Sequence, residues 1–247
     1  MSAVPRRVLV AAGFEPSGRM GLLADLRALR DAGVEGLGIA TALTAQGGRT
    51  FLCEPVASGT VAAQATALLE SGPIDAVKLG VVPSLRVLEA LVRVLPHDVP
   101  WVVDPVVRSS SGKRLSRLVP ADYHALGVTQ LILTPNFGEA LWLLGCTHPE
   151  SGVAEMVEAA TALVATAPSG VVLKGGHLLS AKIVDVVANG AGVTLLTSAR
   201  VRRTALGRRG TGCRFAAVLA AEFSKGEGLV SAARTAQQYV CRYLRQR

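Results

Sequence analysis

From residue 7 to the end of the chain, short runs of Val, Ile, Leu and Ala alternate with amphipathic helical patterns, and this alternation limits the possible folds more than any other feature. Strands are expected over residues 7–12, 36–42, 76–79, 101–103, 130–133, 171–174, 183–187 and 193–196. Helices are expected over 19–31, 61–69, 85–95, 121–125, 137–144, 153–165, 211–224 and 229–244. The early strands are continuously apolar rather than alternating, so they belong in the middle of a sheet covered on both faces. The expected architecture is one doubly wound α/β domain over 1–247, with a mostly parallel sheet and helices on both faces.

Composition removes the other broad classes. Half of the 247 residues are hydrophobic, enough for a full core without disulfides or metals, which excludes global disorder. The longest stretch free of Asp, Glu, Lys and Arg, residues 123–138, is shorter than the ~18 apolar residues of a membrane span and contains His124, Pro135 and Asn136. The apolar run after Arg6 and Arg7 has no clean cleavage site following it, so a cytoplasmic location is expected. Cys53, Cys146, Cys213 and Cys241 match no metal spacing and read as reduced thiols.

The formal charge of +8 is concentrated at one end. From residue 200 onward eleven Lys or Arg face only Glu222 and Glu227. Such a segment suits nucleic acid, an anionic surface or a phosphorylated small molecule. Base stacking calls for interleaved aromatics, and the four available, Phe215, Phe223, Tyr239 and Tyr243, fall inside helical patterns, which argues against nucleic acid.

In doubly wound sheets ligands sit beyond the carboxyl ends of the strands. There the chain reads GFEPSGRMG, TALTAQ, KLGV, DPVV, TPNFGE and KGGH. Further on, Gly210, Thr211, Gly212 and Cys213 open an Ala-rich helix among Arg208, Arg209 and Arg214, where helix-start amides and the helix dipole are suited to an anion. A thiol at that position is expected to have a lowered pKa, and the competing reading makes Cys213 a small core residue beside an ordinary turn. Asp104 and Glu139 are placed to hold Mg²⁺ against nucleotide phosphates, although Asn136 followed by Glu139 is equally a capping box. Lys174 puts a cation at a strand end, and His177 reads as a turn residue. Asp25 and Gln46 offer the donors and acceptors that a heterocycle such as an aminopyrimidine needs, while Asp25 equally fits a solvated helix face.

Taken in order and spacing, AAGFEPSGRMGLLADL, GIATALTAQ, AVKLGVV, WVVDPVV, SGKRL, LTPNFGEALWLLG, VLKGGH and GRRGTGCRFAAVLAAEFSKG resemble the hydroxymethylpyrimidine/phosphomethylpyrimidine kinases of thiamin biosynthesis, over nearly the whole chain. The resemblance implies a ribokinase-like fold, transfer of the γ-phosphoryl group of ATP with Mg²⁺ to a pyrimidine substrate, and a homodimer. By the family pattern Gly13, Asp25 and Gln46 surround the pyrimidine, with Val81 and Val107 as apolar walls. Gly210, Thr211, Gly212 and Cys213 form the anion hole, with Cys213 beside the accepting hydroxyl, and Asp104, Asn136, Glu139 and Lys174 face the Mg·ATP phosphates.

The chain departs from that pattern inside the inferred site. Where the family reads GSDPSGGAGIQAD this sequence has GFEPSGRMGLLAD, so Arg19 replaces Gly and Met20 replaces Ala at the pyrimidine pocket. Val81 stands where the family has Met, a volume exchange that makes room for Met20. DPVMVAKSG becomes DPVVRSSSG, leaving Ser110 in place of a lysine, and NTHGTGC becomes GRRGTGC. Arg208, Arg209 and Arg214 would suit a substrate that already carries phosphate. Two alternatives follow: a diverged homologue that binds pyrimidine without turnover, and a kinase of a pyridoxal-type heterocycle.

Overall fold

The computed structural model describes residues 5–47, 49–147, 152–176, 182–201 and 209–246. In chain order these form β1 (Arg7–Phe14), α1 (Gly21–Asp31), β2 (Glu35–Gln46), β3 (Phe51–Pro55), α2 (Ser58–Glu70), β4 (Ala76–Leu79), α3 (Leu85–Val94), β5 (Pro100–Val103), α4 (Pro120–His124), β6 (Gln130–Leu133), α5 (Phe137–Leu144), α6 (Val153–Leu163), β7 (Gly170–Leu173), β8 (Lys182–Asn189), β9 (Gly192–Ala199), α7 (Thr211–Ser224) and α8 (Leu229–Arg245). The strands make one sheet in the order β3-β2-β1-β4-β5-β6-β7-β8-β9. The six strands from β2 to β7 in that order are parallel, and β3, β8 and β9 are added antiparallel at the two ends.

Strand periodicity divides the core into two layers. Leu9, Ala11, Val77, Leu79, Trp101 and Val103 point to the side covered by α2 to α6. Val8, Val10, Ala12, Ala76, Val102 and Ile132 point to the side covered by α1, α7 and α8. With both faces buried the strands need no polar side, which is why they read as unbroken apolar runs. No helix among the described residues is long and apolar enough to cross a membrane.

Three expectations change. The strand β3 has no counterpart in the sequence reading, because FLCEP is short, ends in Pro55 and is buried on neither face. It pairs with β2 from Ala42↔Pro55 to Gln46↔Phe51, so β2 continues through TALTAQ to Gln46, past the end expected at residue 42, and forms one arm of a hairpin. The first helix begins at Gly21 instead of residue 19, since Gly18 and Gly21 have φ of 65° and 62° and Met20 is extended. A Cβ on Gly21 would strike the carbonyl oxygen of Gly13, so glycine lets this helix start lie directly against the end of β1.

The chain leaves β1 toward β2 on one side and later returns to β4 on the other. This reversal opens a crevice at the carboxyl ends of β1 and β4.

Candidate active site

A cleft of about 880 Å³ occupies that crevice and runs across the ends of β1, β2, β4, β5 and β7. Its floor is set by two buried ion pairs. Lys78, the one charged residue of β4, donates to Asp25 of α1 at 2.7 Å, and neither side chain has any solvent exposure. The Lys174 ammonium, just past β7, donates to Asp104 at 2.6 Å. Burial opposes charge on both lysines, but the acids around them outweigh it and leave both pKa values raised, so both stay ammonium ions. Burial raises Asp25 to about 6 despite Lys78. One Asp25 oxygen, Oδ1, is buried without a hydrogen-bond partner.

The start of α7 closes the cleft over the second pair. Gly210 precedes it at φ 73° and no side chain caps the helix, so first-turn amides that lack intrahelical acceptors border the cleft at Gly212 and Cys213. A Cβ on Gly212 would lie 3.4 Å from Lys174 Nζ and 3.7 Å from Asp104 Oδ2, which shows how closely this backbone approaches the ion pair. Amides, a lysine and a carboxylate therefore converge where phosphates can be bound.

Asn136 and Glu139 fill two roles at once. They form the capping box of α5, Glu139 N–H donating to Asn136 Oδ1 at 3.0 Å and Asn136 N–H donating to Glu139 Oε2 at 2.8 Å. Both also line the cleft. Burial, with a further push from Asp104, raises Glu139 to about 7 although Lys174 pulls it down.

At the opposite end Gly13, Met20, Gln46, Val81 and Val107 line the cleft together with Glu15 and Thr44. A Cβ on Gly13 would sit 3.4 Å from Thr44 Cγ2 and 3.6 Å from Val81 Cβ, so a larger side chain at residue 13 would compete with whatever fills this end. Met20 and Val81, the two exchanged positions, both face this space. Arg209 reaches across from the α7 side and donates to the carbonyl oxygen of Gln46 at 3.1 Å.

Several sequence expectations come out differently. The Cys213 thiol is raised to about 11 rather than lowered, because burial beside Asp25 outweighs Lys78 and the Gly21 N–H that donates toward the sulfur. The helix start contributes too little to reverse that desolvation. Arg214 does not border the cleft: it is 3% exposed, donates to the carbonyls of Arg19 at 2.6 Å and Gly210 at 3.2 Å, and lies 4.1 Å from the centre of the Tyr243 ring. The exposed Arg19 enters this region through its backbone. Asp25 is neither a solvated side chain nor part of the cleft lining; it stands behind Lys78. His177 and Arg208 lie outside the described residues.

Sequence reasoning passed over Lys78, Glu15, Thr44, Arg108, Arg114 and Trp142, all of which line the cleft. Lys78 had a usable signal, since a lysine inside a strand buried on both faces requires a partner. Among the described residues no cluster of three or more His, Cys, Asp or Glu is arranged to hold a metal ion. All four cysteines are free.

Comparison with known proteins agrees with the geometry. A family model described as phosphomethylpyrimidine kinase matches residues 15–247. The hydroxymethylpyrimidine/phosphomethylpyrimidine kinase of Rhizobium meliloti is 33% identical over 94% of this chain and 88% of its own length. Among solved structures, phosphomethylpyrimidine kinase from Clostridium difficile superimposes with a TM-score of 0.78 at 26% identity, covering 96% of this chain and 98% of that one. Pyridoxal kinase from Bacillus subtilis, in an ADP complex, does so with a TM-score of 0.80 at 27% identity, covering 96% and 90%.

Proposed function

The chain belongs to the phosphomethylpyrimidine kinase family, and from that premise we propose that it transfers the γ-phosphoryl group of ATP to hydroxymethylpyrimidine, to its monophosphate, or to both, as a step of thiamin biosynthesis. The observation that carries this reading is the convergence of the α7 start on the Lys174–Asp104 pair within a cleft whose other end is lined by Gly13, Met20, Gln46, Val81 and Val107. A ribokinase-like kinase needs those two ends, one for polyphosphate and one for a heterocycle.

In the proposal, Gly13, Met20, Gln46, Val81 and Val107 hold the ring, and Asp25 acts on this end through Lys78. Gly210, Thr211, Gly212 and Cys213 present backbone amides to charge that builds on the transferred phosphoryl group, and Lys174 neutralises phosphate oxygens beside them. Asn136 orients the nucleotide end through α5. Catalysis of this kind comes from in-line positioning and fixed positive potential rather than from covalent chemistry by the protein.

Mg²⁺ belongs to the proposal as well, and the residues fit it. Burial, with a further push from Asp104, holds Glu139 near 7, and one or two carboxylates are what Mg²⁺ ordinarily takes from protein when phosphates and water complete its shell. Bound there, it would shield charge on the nucleotide's phosphates. A homodimer and a single domain over 1–247 complete the proposal; sedimentation at micromolar concentration checks the first and limited proteolysis the second.

The decisive assay is ADP release by the purified protein with Mg·ATP and each pyrimidine acceptor. Acceptor-dependent release is expected. Its absence from a folded protein that still binds pyrimidine would replace the kinase reading with that of a non-catalytic binding homologue. The likeness to pyridoxal kinase supports a second reading, and pyridoxal in the same panel separates the two.

A further inference from the structure

The positive groups of the cleft fall into two kinds. Lys78 and Lys174 each have a carboxylate within 2.7 Å. Arg108, Arg114 and Arg209 have none within ion-pair distance among the described residues, although all three line the cleft. The other acids there are committed, Glu15 to the hydroxyl and amide of Ser17 and Glu139 to the α5 capping box.

The three arginines lie on the side of the β2–β3 hairpin. Residues 108–114 form a tight turn in which Arg108 and Arg114 stand directly opposite each other in an antiparallel bridge. Like charges in that arrangement repel. Each spends one donor on a neighbouring carbonyl, Arg108 on Gly112 at 3.0 Å and Arg114 on Ser116 at 2.8 Å, which leaves most of each guanidinium fork available. This turn is fastened to β3: Cys53 Sγ donates to the Leu115 carbonyl at 3.4 Å, and Lys113 Nζ lies 5.7 Å from the centre of the Phe51 ring. Phe51 is the register partner of Gln46, whose carbonyl accepts from Arg209. The turn and Arg209 are therefore both tied to the β2–β3 hairpin, Arg209 at its Gln46–Phe51 end.

We propose that Arg108, Arg114 and Arg209 form an anion clasp that selects an acceptor already bearing a phosphate monoester over the free hydroxymethyl compound. The inference rests on the kinase reading above and specifies its acceptor. In the favoured reaction an oxygen of the acceptor's phosphate attacks the γ-phosphorus. The bond from that phosphorus to the oxygen bridging the β- and γ-phosphates breaks, ADP leaves with the electron pair, and the acceptor becomes a diphosphate. No proton has to leave the nucleophile, because a phosphate monoester is almost fully ionised above its second pKa of about 6. An alcohol would have to surrender a proton, and the Cys213 thiol, pushed up to about 11, is itself protonated at neutral pH.

The test measures kcat/KM at saturating Mg·ATP for the monophosphate and for the free hydroxymethylpyrimidine, in the wild type, in Arg209→Gln and in Arg108→Gln/Arg114→Gln. All three side chains are exposed or half-buried, so the variants are expected to fold. The wild type should prefer the monophosphate by more than about tenfold, and each variant should lower that ratio by about tenfold with KM for ATP unchanged, as expected for the loss of charge-assisted phosphate contacts. A wild-type ratio near one would overturn the clasp, as would variants that raise KM for ATP while leaving the ratio alone. If neither acceptor is turned over, the kinase reading fails separately, and calorimetric titration with methyl phosphate still decides the clasp. Binding that both variants abolish supports it; binding that they leave unchanged refutes it.

Discussion

Replacing Lys78 by methionine would expose the main electrostatic dependency of the fold. Lys78 and Asp25 touch at 2.7 Å with no solvent contact on either side, and Asp25 already has one buried oxygen without a partner. Removing the ammonium strands a carboxylate inside the protein, a loss worth about 3–5 kcal/mol when one member of a buried pair is deleted. For a chain of this size each kcal/mol moves the melting temperature by about 2–4 °C, so Lys78→Met should melt roughly 6–20 °C below the wild type near neutral pH.

The pH dependence has a definite sign. Asp25 lies near 6 in the folded protein against 3.8 for an ordinary aspartate, so the folded state holds the extra proton and stability falls as pH rises through that window. Without Lys78 the folded value climbs further, and the window extends upward. The penalty of Lys78→Met should therefore be small near pH 4, where the carboxyl is protonated in both proteins, and full by pH 8. Adding Asp25→Asn should recover most of it, leaving about 1–2 kcal/mol for a buried amide with incomplete hydrogen bonding. Urea unfolding from pH 4 to 8 tests all three variants. A cost under about 1 kcal/mol that does not change with pH would refute the reasoning, since a buried carboxylate cannot lose its counter-ion that cheaply.

Other perturbations separate structural from catalytic roles. Arg214→Met should cost about 2 kcal/mol through lost bonds to the Arg19 and Gly210 carbonyls and lost packing on Tyr243, measured by urea midpoint; an unchanged midpoint with a raised KM would return Arg214 to the ligand. Gly210→Ala should cost about 1–2 kcal/mol for its positive φ alone, before the collision of its Cβ with the Arg19 carbonyl, and should depress kcat by displacing the α7 start; wild-type stability and rate would contradict the tight approach. Because Glu139 is held near 7, kcat/KM should rise as pH increases through that value and the carboxylate forms. More Mg²⁺ should shift that limb to lower pH and Glu139→Gln should flatten it, while a limb indifferent to both would remove Glu139 from metal binding.

Much of this was legible in the sequence because it depends on local patterns. Continuous apolar strands identified the doubly wound sheet, and Asn136 with Glu139 was already a capping box on paper. Other features depend on contacts distant in sequence. Asp25 is three residues after Leu22 and four before Leu29, on the inward face of α1, and Lys78 sits in a strand with both faces buried. Each is a charge in the wrong place by local rules, and only the neighbouring positions of α1 and β4 show that they answer one another. Arg214 presents the same puzzle at the head of a helix buried from Phe215 to Ala221. For Cys213 the sequence displays the helix start but not the desolvation, and desolvation sets the direction.

The two ends of the cleft differ in what a ligand can gain there. Asp25 with Lys78 and Asp104 with Lys174 are neutralised within the folded chain, so a ligand at those pairs must compete with a contact already made. Near the β2–β3 hairpin, Arg108 and Arg114 repel each other, and among the described residues Arg209 is held by a backbone carbonyl rather than a carboxylate. An anion arriving there displaces water from cations that have no carboxylate partner among the described residues, and it relieves a repulsion that the folded protein otherwise carries. At equal numbers of hydrogen bonds, the unmatched end therefore discriminates between charged and uncharged acceptors more strongly than the matched end does. On the proposed reading, selection of the acceptor's charge falls to the hairpin side of this cleft and the chemistry of the transferred phosphoryl group to the start of α7.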